Sequence, residues 1–275
     1  MSGLSAAARA VRAIRAAILQ PPYVAPGHFY SPLTSSEDIR RAQSWKPEAP
    51  GVDLNGDAQL ALARKLAGTV GEPPPGPRWS EGPDNRMFGG ADASVYRAML
   101  GWLQPKRIIE AGSGYSTMIA LDEGYPVTCI EPHPDRLLSL VRPGDPMRLL
   151  RQPVQEVPLD LFTELGAGDI LFIDSSHVAK AGSDVCWLLL HVLPRLKPGA
   201  VVHLHDVFWP FEYPVGWLRE HRDWNEDYLL HAFLSGNAGW EILWFSSWLW
   251  RCHPEVVPEH LLADDPGSIW LRKHG

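Results

Sequence analysis

A chain of 275 residues and 30.6 kDa allows one α/β domain with an extension, or at most two small domains. Its 45% hydrophobic and 21% charged residues are the balance of a globular protein with ample core, and its net charge of −7 argues against a nucleic-acid backbone as partner. Cys129, Cys186 and Cys252 are widely separated, lack metal-type spacing and read as reduced thiols of a cytoplasmic protein.

Residues 1–20 are alanine-rich, carry Arg9, Arg12 and Arg15, and read as an amphipathic helix that Pro21-Pro22 ends. There is no apolar leader core, and no uninterrupted run nears the ~18 residues of a membrane span, so no membrane partner is expected. Residues 21–90 are rich in Pro and Gly. Within them Asp57 to Ala67 has helical apolar spacing, and Gly71 to Arg86 must be a loop. Gly90 to Leu103 is helical and precedes the first strand. The expected division is an extension over 1–90, covering a cofactor or acceptor site, and a main domain over 91–275.

From residue 107 the pattern alternates. Short apolar runs at 107–110, 126–131, 147–151, 169–174 and 200–205 are each followed by polar or Gly/Pro residues, as strands buried on both faces should be. Helices fall near 115–123, 134–141, 159–165, 180–193 and 223–235. Trp240 to Phe245 and Ser268 to Arg272 complete seven strands, with the last two as a hairpin-like pair. Trp248 to Gly267 reads as irregular. The fold expected is α/β: a doubly wound, seven-stranded, mostly parallel sheet. Of the twelve tryptophans, nine follow residue 186, which makes the C-terminal half bulky and aromatic, as core or interface.

The first strand ends in Glu110 and runs into Ala-Gly-Ser-Gly-Tyr-Ser-Thr, a turn where open α/β sheets bind ligands. Gly112 and Gly114 let the backbone approach a ligand closely. A dinucleotide fingerprint needs a third glycine where Thr117 stands, and the Glu110 carboxylate beside the turn disfavours a pyrophosphate. S-adenosylmethionine, with an ammonium, a sulfonium and no phosphate, suits it better. The second strand ends in Glu131, 131 − 110 = 21 residues on, where a carboxylate can accept from both ribose hydroxyls of an adenosine. That spacing fits NAD and S-adenosylmethionine alike.

Glu110-x-Gly112-x-Gly114 resembles the first motif of the class I S-adenosylmethionine-dependent methyltransferases, and the likeness extends over roughly residues 90–275. The resemblance implies a Rossmann-like methyltransferase fold. It places Glu110, Gly112, Ser113, Gly114, Ser116, Glu131, Gln155, Asp174 and Ser175 around the cofactor, with Gln155 at the adenine edge. On the same analogy His28, Tyr30, Arg86 and Phe88 are candidate acceptor-pocket residues.

The fourth and fifth strands end in Asp174-Ser-Ser-His177 and His205-Asp206, neighbours on the rim that holds the glycine loop. A methyl transfer to oxygen needs the acceptor proton removed or acidified, work for a carboxylate-bound cation and an imidazole. Asp-x-x-His followed by an acid pair one strand later is similar to the metal-dependent small-molecule O-methyltransferases that act on macrolide sugars. That likeness implies Asp174 and Asp206 as metal ligands and His177 as general base; Asp174 and, outside the family's pattern, His205 are further catalytic candidates. His205 stands where that family has a carboxylate. A set of Asp174, His205 and Asp206 either loses the metal, leaving His205-Asp206 as a pair that positions the acceptor, or shifts preference from magnesium toward manganese, iron or zinc. His203, inside the strand, reads as a hydrogen-bonded core residue. The aromatic stretch Phe208 to Pro214, with Trp224, is a candidate lining for a planar acceptor.

The reading is an enzyme that methylates an oxygen of a small-molecule acceptor, using S-adenosylmethionine and one divalent metal. A homo-oligomer is left open. The competing classes are a NAD-dependent oxidoreductase and a non-catalytic binding or assembly module on the same fold.

Overall fold

All seven expected strands form, each within a residue or two of its predicted bounds: β1 Ile108–Ala111, β2 Val127–Ile130, β3 Met147–Leu150, β4 Ile170–Ile173, β5 Val201–His205, β6 Trp240–Phe245 and β7 Ser268–Lys273. The computed structural model describes residues 23–275 except 26, 73, 75–77, 81–84 and 86, so the basic segment 1–20 and Arg86 lie outside the described residues. The strands make one sheet in the order β3-β2-β1-β4-β5-β7-β6. β1 to β5 pair in parallel, and β7 inserts antiparallel between β5 and β6. This is the seven-stranded, mostly parallel sheet that the alternating pattern predicts.

The central strands have no solvent face. β1, β4 and β5 are buried along their whole length, which is why they read as continuous apolar runs instead of alternating ones. Register then sets the functional rim. Ala111 pairs with Ile130 and with Ile173, and Ile173 with Leu204, so the residues just beyond these pairs emerge side by side at the carboxyl ends of the strands.

The chain divides into two compact units. One takes Met1–Lys46 with Pro214–Asp223. Its described part holds the helices α1, Ser36–Gln43, and α8, Val215–Arg219, which pack together. Ser35 and Asp38 form a capping box at the start of α1. The other unit, Pro47–Tyr213 with Trp224–Gly275, contains the whole sheet. In it α2, Gly56–Val70, packs on α3, Gly90–Leu103, and on β6. The remaining helices of this unit are α4 Tyr115–Asp122, α5 Asp135–Leu140, α6 Leu159–Thr163, α7 Asp184–Trp187, α9 Glu226–Leu234 and α10 Ser246–Cys252. α7 continues into a wider π turn over Leu188–Val192. The loop expected over 71–86 carries no helix or strand among its described residues. It is tied down by Arg78, which is buried and donates to Asp122 and, at 2.6 Å, to Asp145.

Two local expectations fail. The segment from Trp248 is not irregular: α10 occupies Ser246–Cys252 and buries Trp248, Leu249 and Trp250, and short 3-10 turns follow. Its run of bulky residues directly after a strand has no polar break to mark a change of element. His203 is in the core but is held by rings rather than by hydrogen bonds. It stacks on Phe172 at 4.2 Å and lies 4.6 Å from Trp270, while its Nδ1 has no partner. Burial lowers its pKa well below the ordinary value, so it is a neutral aromatic here.

Candidate active site

The glycine turn is built on a close approach. Gly112 has φ +83°, and a Cβ placed on it would lie 1.8 Å from the carbonyl oxygen of Asp174. Only glycine brings the ends of β1 and β4 this near. Beneath the turn Glu110 is fully buried. Its Oε2 accepts from the Thr117 hydroxyl, whose Oγ1 in turn accepts from Gly114 N at 3.0 Å. Burial pushes the Glu110 carboxyl up to about 8, against the lowering effect of the Thr117 bond, and its Oε1 has no partner. Thr117, at the position of the missing third glycine, is thus the link between acid and loop.

Beside the turn lies a cleft of about 440 Å³ whose walls include Gly112, Glu131, Gln155, Asp174, Ser175 and Lys180. Glu131 accepts from the backbone N–H of Ser113 at 3.3 Å and of His133 at 2.8 Å, which holds its carboxylate at the end of β2. Gln155 donates to Gly182 O at 2.9 Å. Of the residues expected around a cofactor, Gly112, Glu131, Gln155, Asp174 and Ser175 line this cleft. Glu110, Ser113, Gly114 and Ser116 are not among its walls: Ser113 and Gly114 belong to the turn itself, and Glu110 and Ser116 are buried.

Next to the cleft, the ends of β4 and β5 bring acids and imidazoles together. His177 and Asp206 both have φ +58°, a left-handed backbone that non-glycine residues seldom adopt. It turns their side chains toward each other, with His177 Nε2 3.3 Å from Asp174 Oδ1 and 3.7 Å from Asp206 Oδ2. Asp174, His177 and Asp206 each offer a donor atom, all within 4.8 Å of one another, the spread of a shared cation site. His177, expected as a base, is thus in the converging set. His205, expected in that set, lies alongside it: its Nδ1 is 3.7 Å from Asp174 and 3.6 Å from Asp206, too long for hydrogen bonds, and neither ring nitrogen has a partner.

Three acids that the sequence did not single out complete the cluster. Glu226 Oε2 is 2.9 Å from His177 Nδ1. Asp227 accepts from Phe208 N at 3.2 Å, and Asp92 Oδ2 lies 3.6 Å from His205 Nε2. All three are buried, and each has one carboxylate oxygen without a partner. The only sequence signal for Asp92 was an acid inside a mostly apolar helix. Glu226 and Asp227 read as ordinary first-turn acids of α9.

The electrostatics follow from five carboxylates around two imidazoles. Burial opposes the charge of Asp174, but His205 and His177 override it and hold that carboxyl well below its ordinary value. Burial pushes Asp206 up to about 6 and Asp227 well above its ordinary value. Burial disfavours a charged His177, yet Asp174 and Glu226 raise it to about 10. Asp206 and Asp174 likewise outweigh burial at His205, which rises well above its ordinary value. Without a ligand, two imidazolium ions offset part of a carboxylate excess.

Among the acceptor-lining candidates, Phe208, Phe211 and Tyr213 are packed away, whereas Trp224 lies against the His177 ring, centroids 4.3 Å apart. Phe88 is a buried core residue 5.0 Å from the His205 ring. His28 and Tyr30 belong to the smaller unit, where they are exposed and flank Phe29.

Residues 109–207 match the family model of a methyltransferase domain, the stretch that carries Glu110, Glu131, Asp174, His177, His205 and Asp206. The chain carries a methyltransferase domain. It is 32% identical over 160 residues to an uncharacterized protein of Archaeoglobus fulgidus, covering 51% of this chain and 72% of that one. Solved structures similar to this methyltransferase include the plantazolicin methyltransferase BpumL in complex with S-adenosylhomocysteine, 13% identical with a TM-score of 0.41 over 81% of this chain and 99% of that one. A 16S rRNA adenine methyltransferase from Catenulisporales acidiphilia is 15% identical with a TM-score of 0.33, over 65% and 93% of the two chains. None of these likenesses identifies the acceptor. No helix among the described residues is long and apolar enough to cross a membrane.

Proposed function

We propose that this methyltransferase moves the methyl group of S-adenosylmethionine to an oxygen of a small-molecule acceptor in the cytoplasm, with a divalent cation at the rim cluster. The observation that carries the reading is the double position of Asp174, which lines the cleft beside the glycine turn and also belongs to the converging Asp174, His177, Asp206 set. A methyl donor and an activated oxygen would meet across that one side chain. Glu131 faces the cleft where ribose hydroxyls can bind, and Gln155 borders its far wall. The carboxylate excess at the rim opposes a phosphate backbone, which favours a small acceptor over nucleic acid.

The cluster fits a cation. One carboxylate oxygen each of Asp92, Glu226 and Asp227 is buried without a partner beside this set, a cost that added positive charge nearby would relieve. Two carboxylates and an imidazole suit manganese, iron or zinc better than magnesium. When bound, the sulfonium cofactor supplies an electrophilic methyl group and the cation acidifies an acceptor hydroxyl. The chain's own residues hold the reactants: Glu131 and Asp174 on the cofactor side, Asp174, His177 and Asp206 on the acceptor side, and Trp224 as a planar wall.

Calorimetric titration with S-adenosylhomocysteine and with NAD, then transfer of a labelled methyl group to hydroxylated acceptors with and without chelator, tests the reading. Binding of S-adenosylhomocysteine but not NAD, with transfer lost on chelation and regained with manganese, is expected. NAD binding would support the oxidoreductase instead. Full transfer after exhaustive chelation would remove the metal.

A further inference from the structure

The buried acids at the start of α9 are placed unlike helix-capping groups. An acid in a first turn ordinarily faces the free N–H groups of its own helix. Glu226 instead reaches back 49 positions in sequence to His177, with Oε2 2.9 Å from Nδ1 and both side chains almost wholly buried. The backbone is built to hold that contact. His177 O accepts from the N–H groups of Asn225 at 3.1 Å and Glu226 at 3.2 Å. The Asn225 side chain closes the clasp, accepting from Ala179 N at 2.5 Å and donating to Ala179 O at 3.3 Å. Trp224 covers the imidazole face at 4.3 Å. Asp227 extends the same helix start to the end of β5 through Phe208 N.

We propose that Glu226 is the positioning residue of this site, accepting a hydrogen bond from the Nδ1–H of His177 so that Nε2 faces the gap between Asp174 and Asp206. An imidazole has two nitrogens and can present either. A carboxylate at Nδ1 fixes both the tautomer and the ring plane, and it makes the opposite nitrogen a better donor toward a cation. The contact joins residues from two separate elements, the loop after β4 and the first turn of α9. Glu226 has no reach into the cleft that Glu131 and Gln155 border, so its effect should be confined to the cluster. The proposal rests on the cation reading for its affinity consequence, and on geometry alone for the tautomer.

Two measurements on the full chain separate these. Manganese titration should give an affinity roughly 10–100-fold weaker in Glu226→Gln and in Glu226→Ala than in wild type, with S-adenosylhomocysteine affinity unchanged. Nitrogen-15 NMR of the histidine side chains should show His177 protonated at Nδ1 in the wild type, with that signal shifted in Glu226→Gln and lost in Glu226→Ala. If Glu226→Ala does not fold, Glu226→Gln decides, since it keeps size and removes only charge. Wild-type protein that binds no manganese yet shows the expected Nδ1 signals would sink the cation reading and keep the positioning role. His177 signals identical in wild type and Glu226→Gln, with manganese affinity also unchanged, would overturn the proposal and leave Glu226 a helix-end acid.

Discussion

Replacing Gly112 by alanine tests whether the close approach of β1 and β4 makes the cofactor cleft. The new methyl would start 1.8 Å from Asp174 O and 2.8 Å from Asp174 C, so backbone must move by more than about 1 Å to reach the 3.0 Å below which real Cβ contacts essentially never fall. The obstacle is main chain and cannot rotate away. Overpacking of this kind costs about 1–3 kcal/mol, and the left-handed φ of +83° adds about 1–2 kcal/mol for a residue with a Cβ. Together that is roughly 2–5 kcal/mol, a lowering of Tm by roughly 4–20 °C for a protein this size. Gly124 supplies the control: its φ is +86° but nothing lies within 4 Å, so Gly124→Ala meets only the backbone term. Thermal unfolding of both variants, with calorimetry for S-adenosylhomocysteine, isolates the clash. Gly112→Ala should be the less stable by about 1–3 kcal/mol and should bind at least about tenfold more weakly, because the displaced peptide is that of Asp174. Equal stability of the two variants, with wild-type affinity in Gly112→Ala, would refute the argument.

The protonation of Glu110 predicts a pH dependence. Its carboxyl is held at about 8 by burial against an ordinary 4.5, so the folded chain keeps a proton that the unfolded chain releases. The stability from this group is complete below about 4.5 and is lost as pH rises through about 8. Glu110→Gln, neutral throughout, should gain on wild type between about pH 5 and pH 8.5 in thermal unfolding; a Tm difference that stays constant with pH would show that Glu110 is ionised in the fold. Glu131→Ala should weaken S-adenosylhomocysteine binding by about tenfold or more through loss of charge-assisted hydrogen bonds, and unchanged affinity by calorimetry would take Glu131 out of the site. Asp206→Asn should lower manganese affinity while sparing S-adenosylhomocysteine, and equal loss of both would mean that the two subsites are not separable.

The strands and the rim were legible in the residues because the physics there is local. A strand buried on both faces must be apolar throughout, and it must end where a polar or glycine residue allows the chain to turn, so β1, β2, β4 and β5 and the acids or imidazoles at their ends could be read directly. Gly112 was legible for the same reason, since a close turn admits no Cβ. α10 was not, because a bulky run after a strand looks the same whether it stays extended or coils onto the core. The role of Glu110 also needed the fold: the sequence placed an acid beside the loop, but only packing put it beneath, bonded to Thr117. Partner choice at the rim was the least local matter of all. Asp174 and Asp206 were expected to share a site, yet whether His177 or His205 joins them depends on two left-handed backbone positions. The acids beside the imidazoles, Glu226 2.9 Å from His177 and Asp92 3.6 Å from His205, arrive from helices 49 and 113 residues away in the chain (226 − 177 and 205 − 92). Sequence determined which chemistry stands at each strand end, because burial and turning act on neighbours along the chain. The tertiary structure decided which of those groups touch, because a carboxylate finds its partner through space.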